Sequence, residues 1–545
     1  MKGFVFGLIF FLSAVWVQAE MQLSSLFSDG MVLQQKQAIP VWGWGKSGAS
    51  VRVEFKGQTK STTVGADGKW MVRLDPVEAS AKPAVLKITV GSETREIKDV
   101  LVGEVWICAG QSNMDFQLRK MIERRLRTPK NKPIVEFMKK ELASANDPLL
   151  RQIVVPHKIS VDKELNQFKG SWVASSNPKN AGDFSATAYF FGRKLRKELG
   201  VPVGLIKCPW GGTQVEPWLP MSTYQTTDSL KAYYTKKRAK ADKAYAAWQS
   251  DEHAEKVYQE QLKAWEKKKA EKKKGKLRKP RKMQNPYTNK AYRQYPSALY
   301  NAMIAPLVPY AIRGVIWYQG ESNASYYADK YEERFSAMIK GWRKVWNQGD
   351  FPFYYAQLAS YKAPHKNPIQ KKGWVNNWIT ICDHQRRTLK LKNTGMAVLN
   401  DIGEAHDIHP KNKVDAGERL ARWALAKDYG KDIVPSGPLF KSCVRKGASI
   451  VVSFDYAPHG LMVAKKEGLK PATPVKEPLF GFQLCGKDGV WKWADAKIVS
   501  TNSVEVSSKE VPDPVSVRYA WDCNPEGCNL YNKEGLPTSV FVATP

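Results

Sequence analysis

At 545 residues the chain is too long for one ordinary domain, and two to four are expected. With 43% hydrophobic residues it can bury substantial cores. The formal net charge of +33 would suggest nucleic acid, but the leader read below makes that partner unexpected. A solvated basic surface is the plainest account, and an anionic polysaccharide or cell surface is the partner class that would use it.

Met1 to Ala19 read as a secretory leader: Lys2 supplies the charge, Phe4 to Val17 the apolar run, and Val17-Gln18-Ala19 the small cleavage residues. The run is short for a membrane span, which needs about 20 apolar residues, and no second run is long enough to cross a bilayer. Export, secreted or periplasmic, is the expected destination.

From residue 20 to 100 the pattern alternates. Val41-Trp42-Gly43-Trp44, Val51 to Phe55, Trp70 to Leu74 and Val85 to Val90 are short strands punctuated by glycines. A small β-sandwich with a packing or accessory role is expected, with no convergent titratable cluster.

Between residues 101 and 432 strand runs alternate with helical stretches, the pattern of a doubly wound α/β parallel sheet. Val105 to Ala109 suit a strand buried on both faces. It stops at Gly110, and Gln111-Ser112-Asn113 follow. A serine past the carboxyl end of a central strand is placed for chemistry, although serine also favours helix N-caps. The flanks do not match G-x-S-x-G. Val203 to Cys208 run into Pro209-Trp210-Gly211-Gly212-Thr213. Gly314 to Tyr318 run into Gln319-Gly320-Glu321-Ser322-Asn323. Met396 to Leu399 run towards Asp401, and Asp407-Ile408-His409-Pro410 lie beyond. In a parallel sheet these ends share one edge. The set is what acyl transfer needs: a serine hydroxyl, a histidine to take its proton, a carboxylate to orient the ring, and amide donors for an oxyanion.

These blocks resemble, in order, those of SGNH-type esterases, and more closely the sialate O-acetylesterase family. Leu26 to Gln34 also look like that family's entry to its first β domain, and Val517 to Trp521 with Asn532 to Pro537 like its C-terminal domain. The resemblance implies Ser112 as nucleophile, His409 as base and Asp407 as acid partner. The wider SGNH group spaces acid and base as D-x-x-H and this chain as D-x-H, so Glu404 and Asp401 remain alternatives. The implied oxyanion hole is the Ser112 amide, Gly211 or Gly212, and Gln319, with Asn323 as the fallback donor. Gln111, Asn113, Trp210, Glu321 and Asn323 are the expected substrate contacts. No metal or organic cofactor is required. The implied activity is a secreted serine esterase acting on O-acetylated sugar hydroxyls, of sialic acid or of a plant or algal polysaccharide. A carbohydrate-binding protein on a degenerate esterase fold is the alternative.

Trp210, Trp218, Trp317 and Tyr318 suit either sugar faces or core packing. Leu118 to Leu165 read as a basic helical excursion. Residues 229–285 form a basic insertion: two amphipathic helices breaking near Ser250, then Lys267 to Lys282. It is read as a solvated face, with binding to an acidic glycan the sharper alternative. Residues 433–545 alternate again, at Ile450 to Phe454, Phe480 to Leu484, Val490 to Trp493, Val504 to Val506 and Val515 to Ala520, and suggest a second β-sandwich. Seven cysteines leave at least one thiol unpaired within the chain. Cys523 and Cys528 bracket a turn and are the expected disulfide, while Cys108 is a packed thiol.

Overall fold

The computed structural model describes residues 21–122, 132–271, 278–370 and 373–545. The expected leader lies outside them, as do Lys272-Lys273-Lys274 of the basic run. No helix among the described residues is long and apolar enough to cross a membrane.

The chain is a mixed α/β protein with several sheets. The organising element is β1, Glu93–Gly110. Its first half pairs antiparallel with Ser80–Val90 in the first β region, and its second half pairs parallel with the central sheet. The expected boundary at residue 101 therefore falls inside one continuous strand. From Val100 to Gly110 every residue of β1 is buried, which is why the run is almost wholly apolar. The exception, Glu104, is paired with Arg313 at 2.7 Å and accepts from Gln35 at 2.6 Å.

The other central strands are β2 (Asp147–Val154), β3 (Trp172–Ser175), β4 (Val203–Lys207), β5 (Gly314–Tyr318), β6 (Phe353–Ala356) and β7 (Thr394–Ala397). Their order is β3-β2-β4-β1-β5-β6-β7, parallel except for β3 on β2. β4 and β5 thus flank β1 on opposite sides, and the loops that follow these three strands meet at one edge. β2 corrects the all-helical reading of Leu118 to Leu165: only Lys132–Ala143 is helical on either side of the undescribed 123–131, apart from a short turn at Leu118–Ile122. The strand hides in the sequence because Arg151 and Gln152 interrupt its apolar run. Both are buried and engaged, Arg151 with the Asp99 carbonyl at 2.7 Å and Gln152 with the Ser185 amide at 3.2 Å.

Six helices matter for the site. α1 is the short Ser112–Asp115 and α2 is Ala186–Leu199, capped by Ser185. α3 (Asp228–Trp248) and α4 (Asp251–Ala270) are the expected insertion, broken at Gln249, with Ser250 capping α4 through the His253 amide at 3.0 Å. α5 is Tyr331–Trp346. α6 is Lys413–Lys427, capped by Asn412. α6 lies against α2 closely enough that a Cβ at Gly417 would meet the Thr187 carbonyl at 2.5 Å.

The first β region holds a three-stranded sheet, Met21–Leu23, Ile39–Gly45 and Lys69–Leu74, beside Ser50–Phe55, Gln58–Thr63 and Ser80–Val90. Lys69–Leu74 alternates exposed and buried, as its sequence does. The last region has two four-stranded antiparallel sheets. Phe440 and Phe454 from one meet Phe541 of the other at 4.8 and 5.9 Å. All seven cysteines are free thiols, which corrects the expected Cys523–Cys528 pair. The Cys528 sulfur packs at Gly481, while Cys523 faces His365 and Asp522.

Candidate active site

β1 ends at Gly110, whose φ is +129°, and a Cβ there would lie 2.2 Å from the Tyr318 carbonyl oxygen of β5. Only glycine fits this close approach. Gln111 then takes the N-cap position of α1 without a side-chain cap, and Ser112 is the first helical residue. The capping role open to Ser112 is therefore not its role. Its Oγ instead lies 2.9 Å from His409 Nε2.

His409 arrives on the loop between β7 and α6. Asp407 Oδ1 accepts the His409 backbone N–H at 2.8 Å and stands 3.3 Å from His409 Nδ1. Lys411 bonds the other carboxylate oxygen. Burial favours a raised Asp407 carboxyl, but the Lys411 and His409 hydrogen bonds hold it below the ordinary value. Burial lowers the His409 imidazole, the nearby Lys413 ammonium lowers it further, and Asp407 opposes both. Of the two alternatives to Asp407, Asp401 is committed to Arg419 at 2.6 and 2.8 Å. Glu404 accepts the Lys411 backbone amide at 2.9 Å.

The loop after β4 folds over Ser112. The Trp210 amide donates to the Gly110 carbonyl at 2.9 Å, and a Cβ at Gly211 would meet the Ser112 Cβ at 3.3 Å. Gly212 needs its glycine for a φ of +69°. Among the described residues the amides of Ser112, Gly211 and Gly212 have no acceptor. Gln319 does not join them. It is fully buried, and its amide nitrogen donates to the Thr213 carbonyl at 3.0 Å and to Asn323 Oδ1 at 2.8 Å. Asn323 is engaged in turn, accepting the Val215 amide at 2.9 Å and donating to Glu216 at 3.1 Å. The expectation that either amide serves the oxyanion is corrected: both fasten the β4 and β5 loops together.

Four of the five expected substrate contacts are likewise framework. Gln111, Asn113, Glu321 and Asn323 are all buried. Gln111 accepts the Ser322 amide at 3.3 Å. Asn113 Nδ2 donates to Glu321 Oε1 at 2.5 Å and to the Ile408 carbonyl at 3.1 Å, while its Oδ1 accepts from Lys413. One amide thus joins the Ser112 loop, the β5 loop, the His409 loop and the start of α6. Lys413 is fully buried at the first turn of α6, where the helix dipole also disfavours a cation. Burial pushes it down to about 7, against the pull of Glu321. Burial raises Glu321, against its bond from Asn113, and its Oε2 has no partner among the described residues.

Trp210, the fifth, is also buried. His157 stacks on it at 4.6 Å and donates from Nε2 to the Pro209 carbonyl at 2.9 Å, and Lys290 lies 5.9 Å above the ring. Burial holds His157 below the ordinary imidazole value, although Asp115 lies only 3.7 Å away. The chain after the insertion closes one side: Gln294 bonds both the Gly212 carbonyl and the Gln214 amide, and Arg293 approaches Gly212. Trp218, Trp317 and Tyr318 are completely buried. Trp218 meets Trp317 edge-on at 5.8 Å and Trp317 meets Trp342 at 6.0 Å, so these rings are core rather than sugar platforms.

Residues 102–279 and 281–426, which carry every group above, match the family described as carbohydrate esterase, sialic acid-specific acetylesterase. The chain belongs to this family. As a member it is a carboxylic ester hydrolase. It is 28% identical to the Homo sapiens sialate O-acetylesterase over 590 residues, covering 99% of this chain and 96% of that protein. It is also 28% identical to the Rattus norvegicus sialate O-acetylesterase, covering 96% and 94%. Among solved structures it resembles a carbohydrate acetylesterase from Xanthomonas citri, with 34% identity, a TM-score of 0.75, and coverage of 96% of this chain and 99% of that one.

Three groups around this esterase site escape sequence reasoning. His157 and Arg293 sit in no periodic pattern. Lys413 reads as an ordinary exposed lysine beginning a helix, and only the packing of α6 on α2 buries it.

Proposed function

We propose that this esterase removes acetyl groups from sugar hydroxyls by a serine mechanism, on an SGNH-type sheet flanked by two β-sandwich regions. Ser112 Oγ attacks the acetyl carbonyl carbon while His409 Nε2 takes its proton. Asp407 orients the ring through Nδ1 and stabilises the imidazolium. The carbonyl oxygen becomes an oxyanion held by the Ser112 and Gly211 amides, with Gly212 adjoining. Collapse expels the sugar alkoxide, which takes the proton from His409 and leaves an acetyl-serine. Water, deprotonated by His409, then frees acetate. None of these steps calls for a metal or organic cofactor.

The observation that carries this reading is the 2.9 Å contact between Ser112 Oγ and His409 Nε2, with Asp407 behind the ring. Single removal of a nucleophile from such a triad lowers kcat by about 10⁴–10⁶-fold. Ser112→Ala should therefore abolish acetate release while circular dichroism stays unchanged. Undiminished release would sink the assignment and return weight to carbohydrate binding without catalysis.

The substrate class we favour is an O-acetylated sugar, sialic acid by family and an acetylated plant or algal polysaccharide as the second choice. The family's name and the curated relatives favour the first. The basic surface favours an acidic polymer in either case. Acetate release compared across O-acetylated sialic acid, acetylated xylan and an acetylated anionic polysaccharide separates them. We also propose that the protein acts after export, which detection in the culture medium or periplasm tests.

A further inference from the structure

His365, Asp522 and Cys523 bring an imidazole nitrogen, a carboxylate oxygen and a thiol sulfur within 4.8 Å of one another. They are the one group of three such ligands found among the described residues. We propose that they bind a zinc ion that pins the loop after β6 to the last β region, away from the acetyl chemistry.

The two loops are already joined in register. The Tyr361 amide donates to the Cys523 carbonyl at 2.8 Å, and Asn524 Nδ2 donates to the Lys362 carbonyl at 2.8 Å. The His365 amide donates to Asp522 Oδ2 at 2.8 Å. The other oxygen, Oδ1, accepts the Asn524 amide at 3.3 Å and faces His365 Nδ1 at 3.0 Å. Ligands of this set on a tetrahedral zinc ion lie about 3.3–3.5 Å apart, given Zn–N and Zn–O near 2.0 Å and Zn–S near 2.3 Å. The imidazole and carboxylate are therefore close to ligating separation. A pair at the 4.8 Å limit has to close by about 1.3 Å. The donor set of nitrogen, oxygen and sulfur selects zinc over magnesium or calcium, which take oxygen alone.

A cavity of about 130 Å³ adjoins the group, lined in part by His365, Asp522, Asn524 and Glu526. It has room for a water as fourth ligand, a water's share of liquid being about 30 Å³. On binding, the Cys523 thiol releases its proton and ligates as thiolate. His365 moves its proton from Nδ1, where it now bonds Asp522, to Nε2 and ligates through the freed Nδ1 lone pair, and Asp522 ligates through Oδ1. No electron is transferred. The unpaired state of Cys523, where a disulfide was expected, is what this role requires.

The test uses the tag-free chain stripped with chelator and titrated with zinc chloride. One Zn²⁺ per chain is expected by calorimetry and by metal analysis after dialysis. Cobalt chloride should give a thiolate-to-metal absorption band that Cys523→Ser abolishes. His365→Ala should weaken zinc binding by more than the about 10–100-fold that loss of an outer-shell partner causes. Should Cys523→Ser not fold, His365→Ala decides, because His365 is exposed. Zinc-free protein should still hydrolyse an aryl acetate. Substoichiometric uptake, or uptake unchanged in His365→Ala, would overturn the proposal.

Discussion

Asp407 and His409 are one residue apart in sequence, and a single oxygen of Asp407 serves both the backbone amide and the ring of His409, at 2.8 and 3.3 Å. That double engagement fixes the imidazole with its proton on Nδ1 and leaves Nε2 to accept from Ser112. It also explains how D-x-H spacing does the work of D-x-x-H: the turn from Glu404 to Asp407 curls the carboxylate back over the following residues.

The acid partner can be tested against its nearest rival. Asp407→Asn should lower kcat by about 10⁴-fold with the fold unchanged. Asp401→Asn should instead destabilise, by about 3–5 kcal/mol, because it strips a buried Arg419 of its partner. Turnover per folded molecule should then be nearly intact. Chemical denaturation and steady-state rates together decide, and the reverse pattern would move the role to Asp401.

The pH profile follows from His409. Burial and Lys413 lower its pKa, so the free base that accepts the Ser112 proton persists to lower pH than for an ordinary imidazole, near 6.5. kcat/KM should rise with pH as that proton leaves, with a midpoint below the ordinary value. Lys413→Met removes a positive neighbour that disfavours the imidazolium, so the midpoint should move to higher pH. An unmoved acid limb on an aryl acetate would show that His409 does not feel the Lys413 charge.

Asn113 offers a separation of framework from contact. Asn113→Ala cuts the ties to Glu321, Ile408 and Lys413. Misplacing the nucleophile against the base by an ångström can cost about 10²-fold in kcat. Leaving Glu321 unpaired should also destabilise by about 1–3 kcal/mol. KM should change little. A raised KM with kcat retained would instead make Asn113 a substrate contact.

Gln319 is expected to behave as a fastener. Loss of an oxyanion donor costs about 10²–10³-fold in kcat. Gln319→Ala should fall short of that while lowering stability by about 1–3 kcal/mol, since it removes the side-chain bonds to Thr213, Asn323 and Tyr331. Gly211→Ala should do the opposite, because its methyl would press on the Ser112 Cβ at 3.3 Å. Melting curves and initial rates on the two variants give the comparison.

The sequence by itself determined the elements whose local signals agree with their environment. Val105 to Ala109 are apolar because both faces of β1 are covered. Ser250 announces the start of α4, and the alternation of Lys69–Leu74 marks one buried face. It also placed Ser112 and the Asp407-Ile408-His409 block beyond strand ends, and the structure brings Ser112 and His409 within 2.9 Å.

Tertiary structure decided what the polar neighbours do. Glutamine, asparagine and glutamate look alike in sequence whether they face a cleft or one another. Only the approach of the β1, β4 and β5 loops turns Gln111, Asn113, Gln319, Glu321 and Asn323 inward. Burial also depends on partners distant in the chain. Lys413 is interior because α6 lies on α2, and β2 is a strand because Arg151 and Gln152 find partners at Asp99 and Ser185. The cysteines carry the same lesson: a turn-spanning pair permits a disulfide, but the packing at Gly481 and at His365 sends the two sulfurs apart.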